Sequence, residues 1–271
     1  MLLNAFKKLF KVSQPIIGSV HLKPLPGAPH AVTMDKVAEA ALADAEAIVS
    51  GGGNALIVEN FGDAPFYKDR VPAHTVAAVT TILTKLRDQF PKIPIGVNIL
   101  RNDAAAALGI AAVTCADFIR VNIHSGLYAT DQGLIEGRAH ETLRLRESLR
   151  SRVLIFADVA VKHASPLDRR DIGELARETA GRGGADAIIL TGARTGAQTS
   201  SAELSNVHAA VKCPVIIGSG ITPEDIENYT KADGFIVGTY LKYSGDVHRA
   251  VDIERVRALV KAVKRLRRNR R

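Results

Sequence analysis

Ionisable and amide side chains recur at the ends of short apolar runs, and their types suit proton transfer beside a bound anion. His21 follows the run Ile16–Val20, with Lys23 two residues on. Glu59 ends Ala55–Glu59, and Asn60 follows it. Asn98 lies in Ile95–Ile99, Arg120 and Asn122 lie in Asp117–Asn122, and His124 comes just after. Val153–Asp158 leads into Lys162 and His163, the densest ionisable cluster of the chain. A carboxylate at the end of a buried strand loses solvation, its pKa rises, and it becomes a candidate base or metal ligand. Glu59 and Asp158 fit that description, with His21, Lys162 and His163 as further candidate catalytic groups. The competing reading is ion pairing that only ties the rim together. Arg120 alternates with Asn122 and so shares its face. Pointing inward, it needs a carboxylate such as Glu59. A desolvated Lys162 would also suit Schiff-base chemistry. Lys23, Asn60, Asn98, Asn122, His124, Thr191 and Thr195 are candidate substrate-orienting groups, since amides and hydroxyls both donate and accept.

The anion has its own candidate site. Val215-Ile-Ile-Gly-Ser-Gly220 reads as a buried strand running into a turn at Gly218, Ser219 and Gly220. Thr222 is expected to cap a helix there, with Pro223 in its first position. Phe235-Ile-Val-Gly-Thr239 repeats the form with Gly238 and Thr239, and Gly192 and Gly196 flank the preceding strand's loop. Backbone N–H groups at such turns suit a phosphate.

The elements that position these groups follow a simple alternation. Eight short, β-branched apolar runs begin at Ile16, Ala55, Ile95, Asp117, Val153, Ala187, Val215 and Phe235. Each is continuously apolar, as in strands buried on both faces. Helical patterns separate them: Thr33–Ser50, Pro72–Phe90, an alanine run capped by Asn102, Glu136–Arg150, Pro166–Ala180, and others opening at Ser200 or Ser201 and at Thr222. The last carries Ile253, Val256, Leu259, Val260, Val263 and Leu266 on one stripe. Eightfold β/α alternation predicts a single (β/α)8 barrel. A doubly wound open sheet would place a glycine fingerprint after the first strand, where His21-Leu-Lys-Pro-Leu-Pro-Gly27 stands instead. Residues 1–14 read as an amphipathic segment plugging the barrel, 15–260 as the barrel, and 261–271 as a basic tail. The polar stretch Ile123–Ile135 is a candidate lid.

The chain has 271 residues, is 46% hydrophobic and carries a net charge of +8. Seven basic residues and no acids lie between Lys261 and Arg271, so the body is near neutral and the excess belongs to a solvated helix end. No aromatic residue interleaves with that run, so no nucleic-acid partner is expected. No apolar run reaches the roughly 20 residues of a membrane span. Cys115 and Cys213 read as reduced packing residues of a cytoplasmic protein. HExxH, CxxC, a calcium loop and a Walker loop are absent. No cofactor is expected; a divalent metal at Glu59, Asp158 and His21 is chemically possible, but no spacing demands it.

The motifs resemble those of the BtpA family, including its SgcQ-like members. The matching stretches include Ile17-Gly-Ser-Val-His-Leu-Lys-Pro-Leu-Pro-Gly-Ala-Pro29, Val58-Glu-Asn-Phe-Gly-Asp-Ala-Pro-Phe66, Gly96-Val-Asn-Ile-Leu-Arg-Asn-Asp103 and Phe118-Ile-Arg-Val-Asn122. Thr130-Asp-Gln-Gly133, Ala157-Asp-Val-Ala-Val-Lys-His163, Thr191-Gly-Ala-Arg-Thr-Gly196, Gly218-Ser-Gly220 and Ile236-Val-Gly-Thr239 extend the resemblance across nearly the whole barrel. It implies a TIM barrel of the ribulose-phosphate-binding type, without a settled reaction. One member is associated with photosystem I biogenesis, and relatives occur beside sugar-handling genes.

Two expectations follow. The first is an enzyme, expected to be a homo-oligomer, acting on a small phosphorylated sugar or nucleoside-like molecule by isomerisation, aldol cleavage or glycosidic cleavage. The second is a non-catalytic assembly factor that uses the barrel as a scaffold.

Overall fold

The computed structural model describes residues 2–159, 161, 163–168, 170–192 and 199–269. Eight strands form the barrel: β1 (Ile16–His21), β2 (Ala55–Glu59), β3 (Ile95–Asn98), β4 (Phe118–Val121), β5 (Leu154–Val159), β6 (Ala187–Leu190), β7 (Val215–Ile217) and β8 (Gly234–Val237). All pair in parallel, and β8 closes the ring on β1 with Ile17 opposite Ile236. The helices are α1 (Leu2–Phe10), α2 (Met34–Ser50), α3 (Ala73–Gln89), α4 (Ala104–Thr114), α5 (Ala139–Ser148), α6 (Ile172–Gly181), α7 (Ser201–Ala210) and α8 (Ile253–Asn269).

The period of two along each strand divides the barrel into an apolar floor and a polar mouth. Ile17, Ile57, Phe118, Phe156, Ile189, Ile216 and Ile236 form one inner cluster. One pleat further along the same strands stand Ser19, Glu59, Arg120, Asp158, Thr191, Gly218 and Gly238. Outward residues such as Val20, Val58, Val97 and Ile119 pack with the helices in a second, larger cluster. Gly96 is required by the floor, because a Cβ there would lie 2.1 Å from the Phe118 ring.

The N-terminal segment closes the bottom, as its sequence predicts. Phe6 and Phe10 are buried in the inner cluster, with Phe10 6.0 Å from the Phe118 ring and Phe6 6.0 Å from that of Phe156. At the same end, a residue just before one strand ties down the first or second residue of its neighbour. Ile16 N donates to Asn54 Oδ1 at 3.0 Å, Ile95 N to Asp117 Oδ2 at 2.9 Å, Ile155 N to Asp186 Oδ2 at 2.8 Å, and Val215 N to Asp233 Oδ2 at 2.9 Å. These bonds satisfy amides that the staggered ladder leaves unpaired. The basic run continues α8, and Arg267 Nη2 donates to the Gln14 carbonyl at 2.8 Å.

Three local expectations are corrected. No α-helix opens at Thr222: its hydroxyl donates to Asp225 Oδ2 at 2.8 Å, and a single 3-10 turn, Ile226–Tyr229, precedes β8. Asp103, not Asn102, caps α4, accepting from Ala106 N at 2.9 Å. Asn102 instead clamps the backbone of Ile123, accepting from its N–H and donating to its carbonyl, each at 2.8 Å. The helix expected from Glu136 begins only at Ala139, because Gly133–Glu136 pairs as a strand with Leu127–Thr130. Ala164–Pro166 joins that hairpin, giving a three-stranded flap over Ile123, Tyr128, Ile135 and Val161.

Candidate active site

A cleft of about 1060 Å³ opens where the barrel strands end. Its floor is a charged layer delivered by β1, β2, β4 and β5. Arg120 lies between two carboxylates: Nε and Nη2 donate to Asp158 Oδ2 and Oδ1 at 2.9 and 3.1 Å, and Nη1 donates to Glu59 Oε1 at 3.1 Å. Asn122 Nδ2 donates to Asp158 Oδ2 at 2.9 Å, and Asn98 Nδ2 reaches Glu59 Oε1 at 3.4 Å. Both Asp158 oxygens therefore serve the guanidinium, and one is also shared with Asn122. Glu59 Oε2 is turned toward His21 Nε2 at 3.7 Å. The His21 ring stacks on Phe61 at 4.5 Å, and Gly238 leaves it room, since a Cβ there would meet the ring at 2.8 Å.

Burial is the largest influence on Asp158 and raises its pKa above the ordinary carboxylate value, with Arg120 pulling it back. Burial also disfavours the Arg120 charge, but Asp158 and Glu59 outweigh it and hold the guanidinium protonated. The two bonds from Arg120 occupy both Asp158 oxygens, so the carboxylate holds the guanidinium in place. Arg101 is buried in the same wall; burial lowers its pKa against the attraction of Asp158, Asp131 and Glu59.

The glycine turns line the facing wall. Ser219, Gly220 and Thr239 border the cleft, and Gly220 has φ +69°. Gly218 borders it too, but its N–H donates to the Leu190 carbonyl at 2.7 Å, so it supplies space and not a donor. A Cβ at Gly218 would lie 2.6 Å from Ile189 and 2.7 Å from the Thr191 methyl. A 3-10 turn, Thr239–Leu241, follows Gly238 on this wall. Among the described residues, Ser219 Oγ and Asn122 Oδ1 of the cleft walls are buried without a hydrogen-bond partner.

Of the other candidates, Lys23 and His163 line the cleft, and His163 holds a left-handed φ of +53°. Asn60 is turned into the scaffold, accepting from Leu100 N at 2.7 Å and donating to Asp63 at 3.0 Å. The expectation that His124 faces the mouth is not met. Its ring is buried away from the cleft, Nε2–H donates to the Gly183 carbonyl at 2.8 Å, and burial lowers its pKa. Thr191 and Gly192 are buried at the end of β6 and do not border the cleft. Lys162, Thr195 and Gly196 lie outside the described residues. Arg101 is the site residue that sequence reading overlooked, although its place three residues past Asn98 marked the same strand end. Among the described residues, no three His, Cys, Asp or Glu side chains come together as a metal site. No described helix is long and apolar enough to cross a membrane.

Fold and site together define a (β/α)8 barrel with a charged mouth opposite paired glycine turns. The model of the BtpA family matches residues 12–265, and the chain belongs to that family. It is 45% identical to the photosystem I biogenesis protein BtpA of Synechocystis over 94% of this chain and 89% of that one. It is also 45% identical to an uncharacterized protein of Thermococcus kodakarensis, over 94% of this chain and 97% of the relative. Among solved structures, N-(5'-phosphoribosyl)anthranilate isomerase from Pyrococcus furiosus superposes with a TM-score of 0.58, at 14% identity, covering 93% of this chain and 99% of that one.

Proposed function

We propose that the chain is an enzyme that moves protons on a small phosphorylated sugar or nucleoside-like molecule held across the barrel mouth. The observation that carries this reading is the pair of orphaned atoms, Ser219 Oγ and Asn122 Oδ1, on the walls of a cleft that also holds Glu59 and His21. A buried polar atom without a partner costs stability, and a ligand that satisfies it recovers that cost. In this reading Ser219, Gly220 and Thr239 hold the phosphate. Asn122 Oδ1 accepts from a substrate hydroxyl, and Glu59 and His21 shuttle the proton. Arg120, fixed by Asp158, places positive charge beside a developing oxyanion. Lys162 and His163 retain the charge-stabilising role expected from the sequence. The reaction class is isomerisation, aldol cleavage or glycosidic cleavage. The phosphoribosyl substrate in the name of the Pyrococcus furiosus neighbour supports a phosphorylated ligand. Free thiols at Cys115 and Cys213 fit a reducing cytoplasm.

The test is incubation in D₂O with ribose 5-phosphate, ribulose 5-phosphate and related sugar phosphates, followed by NMR. Deuterium incorporation or cleavage of at least one sugar is expected, lost in Glu59→Gln. Absence of both thermal shift and exchange across the panel overturns the reading. The name of the Synechocystis relative favours a second reading, a non-catalytic assembly factor. The equally similar relative from Thermococcus kodakarensis carries no such name, and the cost of leaving a charged mouth without a ligand weighs against this reading. A pull-down that returned only background proteins would count against the assembly role.

A further inference from the structure

The cleft continues beyond the mouth. From Gly238 and Thr239 it runs past Tyr240, between Ala40 and Ala43 of α2 and the segment 245–250. Its volume of about 1060 Å³ stands at the upper end of the range for small-molecule pockets, more than one sugar phosphate needs. Two guanidiniums line this outer lobe. Arg255 lies 4.3 Å over the Tyr240 ring, and its Nε donates to the Tyr240 carbonyl at 2.5 Å. Arg249 lies 5.7 Å from the Tyr243 ring centre, and its Nη1 donates to Ser244 Oγ at 3.1 Å. Among the described residues, neither makes a salt bridge. Carboxylates nearby are engaged elsewhere. Asp44 takes the Lys242 ammonium and the Val251 N–H, and Asp225 takes the Thr222 hydroxyl. Asp246 and Asp252 accept from the N–H groups of His248 and Glu254, so among the described residues neither guanidinium of the outer lobe is tied up in an ion pair.

We propose that this lobe binds a second phosphate, so that the ligand is a diphosphate whose first phosphate lies at the glycine turns. The proposal rests on the phosphate reading above. Tyr240 directly follows Thr239, so the guanidinium stacked on it adjoins the first phosphate position. Each arginine has five N–H donors, and a planar guanidinium suits two phosphate oxygens at once. The Tyr240 carbonyl and ring hold Arg255 in place, which lowers the entropy lost on binding.

Titration calorimetry with inorganic phosphate, ribose 5-phosphate and pyrophosphate tests this in wild type, Arg249→Gln, Arg255→Gln and the double variant. Arg257→Gln is the charge control, since Arg257 pairs with Glu254 outside the cleft. Pyrophosphate is expected to bind at least about tenfold tighter than phosphate. The double variant should erase that preference while phosphate affinity stays within about twofold, and the control should keep it. If Arg255→Gln melts early, Arg249→Gln alone carries the test by lowering the preference at least about threefold. Equal wild-type affinities, or a preference that survives the double variant, overturn the second site alone. No binding of any of the three overturns the underlying phosphate reading.

Discussion

Replacing Arg120 with Met should unmask the charge layer of the mouth. The guanidinium makes two bonds to Asp158, at 2.9 and 3.1 Å, and one to Glu59 at 3.1 Å. The Asp158 side chain is 0% exposed and that of Glu59 7%, so neither carboxylate can turn to water. Removing one partner of a buried pair costs about 3–5 kcal/mol, and here a single cation serves two anions, which places the expected loss toward the upper end. The loss should depend on pH. Burial already raises Asp158 above 3.8, and removal of Arg120 raises it further. The folded variant then binds a proton more tightly than the unfolded chain. Stability is retained below the unfolded pKa and lost as pH rises through the folded one. Urea unfolding of wild type and variant at pH 5 and pH 8 measures the difference. A loss of about 3–5 kcal/mol at pH 8, smaller at pH 5, is expected. Adding Asp158→Asn to the variant should recover part of it, as a double-mutant cycle would show. A loss below about 1 kcal/mol, or the same loss at both pH values, would refute the reasoning, because it would mean that the carboxylates were never uncompensated.

Ser219→Ala removes a buried hydroxyl that has no partner, so it should stabilise the ligand-free protein by about 1 kcal/mol in thermal melts. The same change should weaken inorganic phosphate about tenfold; a destabilised variant would show that the hydroxyl is already bonded. Gly238→Ala puts a methyl 2.8 Å from His21 Cε1 and 3.0 Å from its Nε2, forcing the imidazole off Phe61. Proton exchange on the substrate should fall more than about tenfold, with a stability cost of about 1–3 kcal/mol typical of overpacking; unchanged exchange would remove His21 from the proton path.

The eight strands and the shared face of Arg120 and Asn122 were legible because both depend on local pattern. Glu59, Arg120 and Asp158 lie at known steps of period-two runs, and Arg120 was expected to need a carboxylate. Helix ends were less legible. Asn102 and Asp103 are adjacent and both can cap, and only the approach of Ile123 decides that Asn102 clamps a loop. Thr222-Pro223-Glu224-Asp225 carries helix-start signals, but Thr222 and Asp225 satisfy each other, and β8 begins at Gly234. His124 shows the same limit: its residue type suits a mouth, yet the chain has already left β4 and turns the ring toward Gly183.

The sequence by itself determined eight strands with helical segments between most of them, an N-terminal segment at the barrel's bottom, polar groups at the ends of the first six strands, and membership of the BtpA family. Only the tertiary structure decided which polar groups meet. Arg120 holds Asp158 with two bonds, Glu59 is left turned toward His21, and the Gly218 amide closes a ladder instead of facing a ligand. The reason is physical. A side chain's face follows from the two-residue repeat of its own strand, whereas its partner depends on the stagger between strands and on closure of the ring, which no single stretch of chain carries.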